Sequence, residues 1–344
     1  MKIAILMFGQ PRFFDMTQEL IKEEFDLEGH SVDFHASFWD KIGYTPEGEE
    51  HNYDTENFIS NARENINFKN LQINNYEKLN EFTEFMIYFA EKIHNRKLPI
   101  GRNYEYMRYK FGQHWCIKDC FQRIKRYEEK NKFKYDLIIK CRTDIVYRPK
   151  TTYTNTEEYN KIKNNYYGNI LLDKPAIKCN ALRVIDISEK RKDKKNPAHH
   201  EQISIFYDEK FVSKDNSSTY FDYVENYNLR LAFNDWSLIA NREAAEIIYG
   251  KWFENYFLTL SKDIKNTNDN DSRWFISESD HSIQGQFLLN YKIHATREQN
   301  RRDARLLHPE IIKKDVDIKG KILAYNKATI ISDCHKKFCP KNLR

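Results

Sequence analysis

Arg142 and Asp144, a guanidinium and a carboxylate two positions apart, follow directly on the apolar run Tyr135 to Cys141. An arginine fork can hold two phosphate oxygens, and an aspartate is a hard oxygen ligand for a cation. A run without polar alternation predicts a central parallel strand covered on both faces, and open α/β sheets collect ligands at the carboxyl ends of such strands. The competing reading is a strand ending in a surface ion pair. Two further junctions supply context. Lys2 to Phe8 is a second apolar run, broken at Gly9-Gln10-Pro11-Arg12, and Ser31 to Trp39 is a third strand after the helix-like stretch Thr17 to Glu28. Strand, helix, strand is the opening of a βαβ unit. The Gly9 turn has neither G-x-G-x-x-G nor G-x-x-x-x-G-K-[ST] spacing, which sets aside Rossmann dehydrogenases and P-loop kinases.

Later segments carry further chemistry. Asn234-Asp235-Trp236 precedes a strand, Ser237 to Ala240, and a helix from Arg242 to Leu258 with Ala245, Ile248, Trp252 and Phe253 on one face. Asp235 could bind ligand hydroxyls and Trp236 could offer an apolar platform; an Asx turn entering the strand is the alternative. Ser277 followed by Asp280 has capping-box spacing, which gives Asp280 a helix-terminal role and leaves Glu278 the freer carboxylate. Asp269-Asn270-Asp271 and Asp315-Val316-Asp317 have no buried strand before them.

Taken in order, Phe8-Gly9-Gln10-Pro11-Arg12, Asp33 to Trp39, Tyr135 to Asp144, Asn234-Asp235-Trp236 and Ser277-Glu278 resemble the GT-A-type nucleotide-sugar glycosyltransferases, particularly the bacterial and viral group with Arg-x-Asp in the DxD position. The resemblance implies an α/β fold with a Rossmann-type mixed, mainly parallel sheet flanked by helices. It implies a donor site at Phe8, Gly9, Gln10, Arg12, Arg142 and Asp144, with Gln113 presented from the preceding helix, and an acceptor side at Asn234, Asp235 and Trp236. The partners would be a nucleotide-sugar donor and a glycan or lipid-linked acceptor. Glu278, with Asp280 beside it, would be the general base of an inverting transfer. A divalent cation, Mn2+ or Mg2+, would be held through Asp144 with His308. Arg142 stands where the commoner pattern has an aspartate, so metal dependence is expected to be partial.

The remaining sequence bounds these expectations. The chain has 344 residues, enough for one large α/β domain with insertions, and a net charge of +5. That mild excess suits a phosphate-bearing substrate or an anionic lipid surface and is too small to imply nucleic acid. No run reaches the roughly 18 apolar residues that span a bilayer, and the start has no signal-peptide pattern. A cytoplasmic protein is expected, with peripheral membrane association as an addition. The six cysteines are expected to be reduced core thiols, although Cys334-His335 with Cys339 could suggest a zinc clip.

The expected catalytic domain is 1–305, with a nucleotide-binding half 1–148 that contains a helical insertion 55–131, an acceptor half 149–305, and an extension 306–344. Within the insertion, Leu79, Phe82, Met86, Phe89 and Ile93 recur at helical spacing, and a second helix runs from about Tyr104 to Lys130. Trp115, Ile117, Phe121 and Ile124 are its expected packing face. Gly168 to Leu172 and Gln202 to Tyr207 read as strands, and Glu189 to His200 as a charged loop. A nucleotide- or glycan-binding protein without turnover, or a structural particle protein, is the alternative from another class.

Overall fold

The structure is a computed structural model that describes residues 1–12, 14–42, 51–52, 55–94, 104–147, 155–168, 170, 172–179, 182–186, 229–233, 237–253, 291, 293–297, 304–306 and 329–330. The chain forms two compact units. One comprises Met1–Leu79, Gly112–Ile170 and Asn300–Phe338; the other comprises Asn80–Phe111, Leu171–Gln299 and Cys339–Arg344. Their boundaries fall within the stretches expected to be insertion, acceptor half and C-terminal extension.

The first unit is built on four parallel strands. β1 (Lys2–Gly9) leads through helix α1 (Phe14–Glu24) to β2 (Ser31–Trp39); the two-residue strands β3 (Lys41–Ile42) and β4 (His51–Asn52), helix α2 (Thr55–Asn65) and β5 (Phe68–Asn74) follow. Helices α3 (Lys78–His94) and α4 (Tyr104–Asn131) then lead to β6 (Leu137–Cys141), β7 (Ile145–Tyr147) and helix α5 (Thr156–Gly168). β2 pairs with one edge of β1 and β6 with the other, both parallel, while β5 adds outside β2. Strand order therefore reverses between β1 and β6. Ile3 to Phe8 and all of β6 are buried, as strands covered on both faces must be.

Alternating side chains face different helices. Phe14 of α1 meets Phe38 at 5.8 Å and Phe25, just after α1, meets Phe34 at 6.2 Å, whereas Ser37 donates to Asp119 of α4 at 2.7 Å. Arg123, one turn on, donates to the same Asp119 oxygen at 2.9 Å. Ile117, Phe121 and Ile124 of α4 are buried as expected, and Trp115 is half-buried. Cys116, Cys120 and Cys141 are buried free thiols whose pKa values burial pushes up, as expected of reduced core cysteines.

The second unit contains a mixed set of strands. β8 (Ala176–Cys179) pairs antiparallel with β11 (Ser237–Asn241) and parallel with β12 (His294–Arg297); β9 (Leu182–Asp186) and β10 (Leu229–Phe233) form an antiparallel pair. Asn241 caps the helix Arg242–Ile248 by accepting from the Ala244 amide at 2.9 Å, and its amide donates to the Lys174 carbonyl. Ala245, Ile248, Trp252 and Phe253 are buried, but the helix expected to run from Arg242 to Leu258 ends at Ile248 and is followed by a turn at 249–251, so Trp252 and Phe253 lie beyond it. The fold is thus α/β, with mainly parallel pairing and flanking helices. Among the described residues, no helix is long and apolar enough to cross a membrane.

Three expectations are corrected. The stretch 55–131 is not helical throughout: β5 lies inside it and extends the sheet, its polar residues Asn70 and Asn74 bonding β2 side chains. Helix α5 spans Thr156–Gly168, and 170 and 172 lie in bends, so the described residues of Gly168 to Leu172 do not form the expected strand. Tyr159, Lys163 and Tyr167 recur every four residues and tie α5 to the α1 region. Lys163 pairs with buried Glu24, Tyr167 donates to Glu24 at 2.6 Å, and Tyr159 donates to the Glu23 carbonyl at 2.7 Å. On α3, Met86 is buried but Phe89 stays 47 % exposed, with Phe85 and Tyr88 also outside, so the expected stripe is only partly a packing face. Gln202 to Tyr207 and Glu189 to His200 lie outside the described residues.

A buried polar chain crosses the α4 face. Tyr135 donates its hydroxyl to Asp33 at 2.7 Å, so His35 must donate through Nε2 to that hydroxyl at 3.0 Å and accept at Nδ1 from Asn70 at 2.9 Å. His35 is therefore neutral. Burial depresses its pKa to about 4, with Lys69 assisting and Asp33 opposing. The unfolded chain then binds more protons than the fold between about 4 and 6.5. Stability is level above that window and falls as pH drops through it, by about 3 kcal/mol in all. His35→Gln keeps a donor and an acceptor without that proton. Denaturant melts at pH 7 and 4.5 are expected to show a smaller acid loss in the variant; an equal loss would contradict the neutral, buried imidazole.

Candidate active site

β1 and β6 run side by side, with Met7 opposite Cys141, so their carboxyl ends emerge together where strand order reverses. Such a reversal opens a crevice between connections that leave in opposite directions. Asp136 fixes the other end of the pairing, its carboxylate accepting from the Lys2 amide at 2.7 Å and its amide donating to the Lys2 carbonyl at 2.8 Å.

Gly9 ends β1 with φ +85°, a left-handed conformation that glycine adopts without strain, and a Cβ there would meet nothing within 4 Å. The backbone is therefore open on that side. Gln10 follows, and its Oε1 accepts from Arg12 Nε at 3.1 Å and Nη2 at 2.8 Å. A guanidinium only donates, so this contact fixes which end of the Gln10 amide is oxygen. Gln10 Nε2 is buried and, among the described residues, has no hydrogen-bond partner.

At the end of β6, Arg142 Nε and Nη2 donate to Asp144 Oδ1 and Oδ2 at 2.8 and 2.6 Å. Asp144 is 5 % exposed and Arg142 half-buried. Burial is the strongest influence on Asp144 and pushes its pKa up. The charge and hydrogen bonds of Arg142, with the charge of Arg12, outweigh it and hold the carboxyl below its ordinary value. Arg12, Arg142 and Asp144 together carry a formal charge of +1 from three named groups.

Two threonines that sequence reasoning passed over bind these ends together. Thr143 Oγ1 donates to the Gln10 carbonyl at 3.2 Å, and the Thr143 carbonyl accepts from Thr17 Oγ1 of α1 at 2.6 Å. The signal was faint: only Thr143 stands between two charged residues, where a hydroxyl can bond to backbone, and Thr17 lies between Met16 and Gln18. Lys140 was also missed, although a lysine inside an apolar run is visible. It is 4 % exposed, with Nζ 5.5 Å from the Phe8 ring centroid.

The structure brings Gly9, Gln10, Arg12, Arg142 and Asp144 to one strand edge. Phe8 is instead a core side chain, 5 % exposed, because it is the last apolar position inside β1. Gln113 is half-buried on α4. Asn234, Asp235 and Trp236 span the gap between β10 and β11 and lie outside the described residues, as do Glu278, Asp280, His308 and the Cys334-Cys339 segment. β13 (Ala304–Leu306) pairs antiparallel with β7 and with β14 (Thr329–Ile330), placing Leu306 opposite Ile145. Register thus carries the chain to two residues before His308 beside the residue that follows Asp144.

Among the described residues, no three His, Cys, Asp or Glu side chains stand together as a cation site. Asp144 offers one carboxylate with both oxygens already accepting from Arg142. This donor set does not fit a divalent cation as it stands.

No protein-family model and no curated protein sequence matches the chain. Among solved structures, mouse xyloside xylosyltransferase 1 in its apo form superimposes with a TM-score of 0.35 at 11 % identity, over 87 % of this chain and 86 % of that one. The mannosyltransferase Ktr4p from S. cerevisiae, in complex with GDP, gives a TM-score of 0.33 at 10 % identity, over 89 % of this chain and 71 % of that one. Both are glycosyltransferases; likeness at this level carries no argument about this chain's chemistry.

The fork on Asp144 generates a stability prediction. An ammonium cannot span both oxygens of a buried carboxylate, so Arg142→Lys is expected to cost about 1–3 kcal/mol. A chemical melt would measure it, and an unchanged midpoint would show that the fork contributes nothing to the fold.

Proposed function

We propose that the chain transfers a glycosyl group from a nucleoside-diphosphate sugar to a hydroxyl of a glycan or lipid-linked acceptor, with inversion. The carrying observation is the pair of guanidinium groups, Arg12 and Arg142, at the adjoining carboxyl ends of β1 and β6. When the bond from the sugar to the diphosphate breaks, its electron pair leaves with the phosphate oxygen. Fixed cations near that oxygen stabilise the leaving group more than the ground state. The open backbone at Gly9 allows close approach, and Gln10 Nε2 supplies a donor for an acceptor-rich ligand.

Glu278 is the proposed base. It takes the proton of the acceptor hydroxyl as that oxygen bonds to the anomeric carbon from the face opposite the diphosphate. Asp280 closes the helix start, and Asn234, Asp235 and Trp236 hold the acceptor. These assignments rest on sequence pattern. A divalent cation, Mn2+ or Mg2+, belongs to the proposal as a partial requirement; Asp144 would serve it, with His308, only after releasing Arg142, and no step here depends on it. Donor hydrolysis across a panel of nucleotide sugars tests the function, and a chain that turns over none of them would contradict it.

Glu278→Gln retains shape but cannot accept the proton, so transfer is expected to fall by about 10²–10⁴-fold while nucleoside diphosphate still binds. Normal transfer by the variant, or retention of anomeric configuration by NMR, would contradict the inverting mechanism. Chelation is expected to lower turnover without abolishing it. Complete loss with EDTA, restored by Mn2+, would show that the guanidinium charges do not suffice.

A further inference from the structure

We propose that Asp144 is the built-in occupant of an oxyanion seat on Arg142, and that a phosphoryl-type anion binds by displacing it. The inference rests on the phosphate-bearing donor proposed for this edge and assigns the edge a resting, self-closed state.

Geometry supplies the first argument. Asp144 presents two oxygens to Nε and Nη2 of Arg142 at 2.8 and 2.6 Å. This side-on, two-oxygen contact is the one a phosphate makes with the same edge of a guanidinium. Carboxylate and phosphate therefore compete for one set of donors. The two residues are separated only by Thr143, whose hydroxyl and carbonyl are anchored on Gln10 and Thr17. Exchange then needs side-chain rotation alone, with the strand ends held.

Gln10 supplies an independent argument. Its oxygen is committed to Arg12, which leaves Nε2 as a buried donor with its orientation fixed and no acceptor among the described residues. Burying an unmet donor costs roughly 1–3 kcal/mol. Both Asp144 oxygens accept from Arg142, and Gln10 Nε2 has no acceptor among the described residues. An anion with more oxygens than a carboxylate could use the Arg142 edge and this amide as well, so the edge is better matched to a phosphoryl group than to its own aspartate. The open space over Gly9 adjoins the same turn.

Asp144→Asn keeps the side-chain volume, removes the competing charge and leaves one acceptor. Inorganic diphosphate is the probe, titrated calorimetrically in EDTA against folded wild type, Asp144→Asn and Arg142→Gln. Metal-free affinity is expected to rise at least about tenfold in Asp144→Asn, as loss of one neighbouring negative charge allows, and to disappear in Arg142→Gln. Equal or weaker binding by Asp144→Asn, with wild type still binding, overturns the displacement and leaves the donor reading intact. Absence of diphosphate binding in wild type and Asp144→Asn alike overturns both. Should Asp144→Asn not fold, the wild-type protein carries the test: diphosphate is expected to shift the Arg142 Nε–H and Asp144 carboxyl NMR signals together. A shift at Arg142 with Asp144 unmoved, or no shift at either, overturns the proposal.

Discussion

Main-chain hydrogen bonds hold β6 parallel to β1 with Met7 opposite Cys141, and the candidate site depends on that register. A slip by one residue would turn each β6 side chain to the other face, burying Ile139 where Lys140 stands and moving Arg142 off the shared edge. The register is secured at both ends. Asp136 brackets Lys2 below, and Thr143 reaches the Gln10 carbonyl above. β2 pairs with β1 on the side opposite β6, so the charged residues after Gly9 and after Cys141 emerge at adjoining strand ends, where Thr143 and Thr17 tie the two connections together.

Charge at this edge is arranged so that a buried carboxylate can stay ionised. Desolvation alone would raise the Asp144 pKa, yet two guanidinium groups reverse the direction. A buried ion pair of this kind is weak evidence for stability in itself, since the cost of removing two charges from water offsets much of their attraction. Its position matters more than its energy. It leaves the edge with a small positive excess and, among the described residues, a buried amide donor unmet, a combination suited to an anion with several oxygens.

The sequence made the strands of this edge legible because they are apolar on both faces. Ile3 to Phe8 and Leu137 to Cys141 admit no amphipathic reading, and the charged residues after them could be located to the residue. The β5 strand escaped notice because Phe68 to Asn74 carries lysine and three polar amides, whose bonds to His35 and Ser37 depend on a neighbour far away in sequence. Helix α5 was hidden likewise, since its stripe is Tyr159, Lys163 and Tyr167, apolar in character only once Glu24 pairs the lysine. The same limit applies at the site. Spacing could show Arg142 and Asp144 at one strand end, but their grip on each other and the fixed orientation of the Gln10 amide are rotamer facts. Phe8 was misread for the opposite reason: adjacency to the turn resembled access to it.

The central claim is that the adjoining ends of β1 and β6 form a diphosphate site. A crystal structure with a bound nucleoside diphosphate tests it most directly. The account predicts diphosphate oxygens within hydrogen-bonding distance of Arg12 or Arg142 and of Gln10 Nε2, over the open side of Gly9. A nucleotide bound elsewhere on the chain, with the Arg142 to Asp144 contact unchanged, would contradict it.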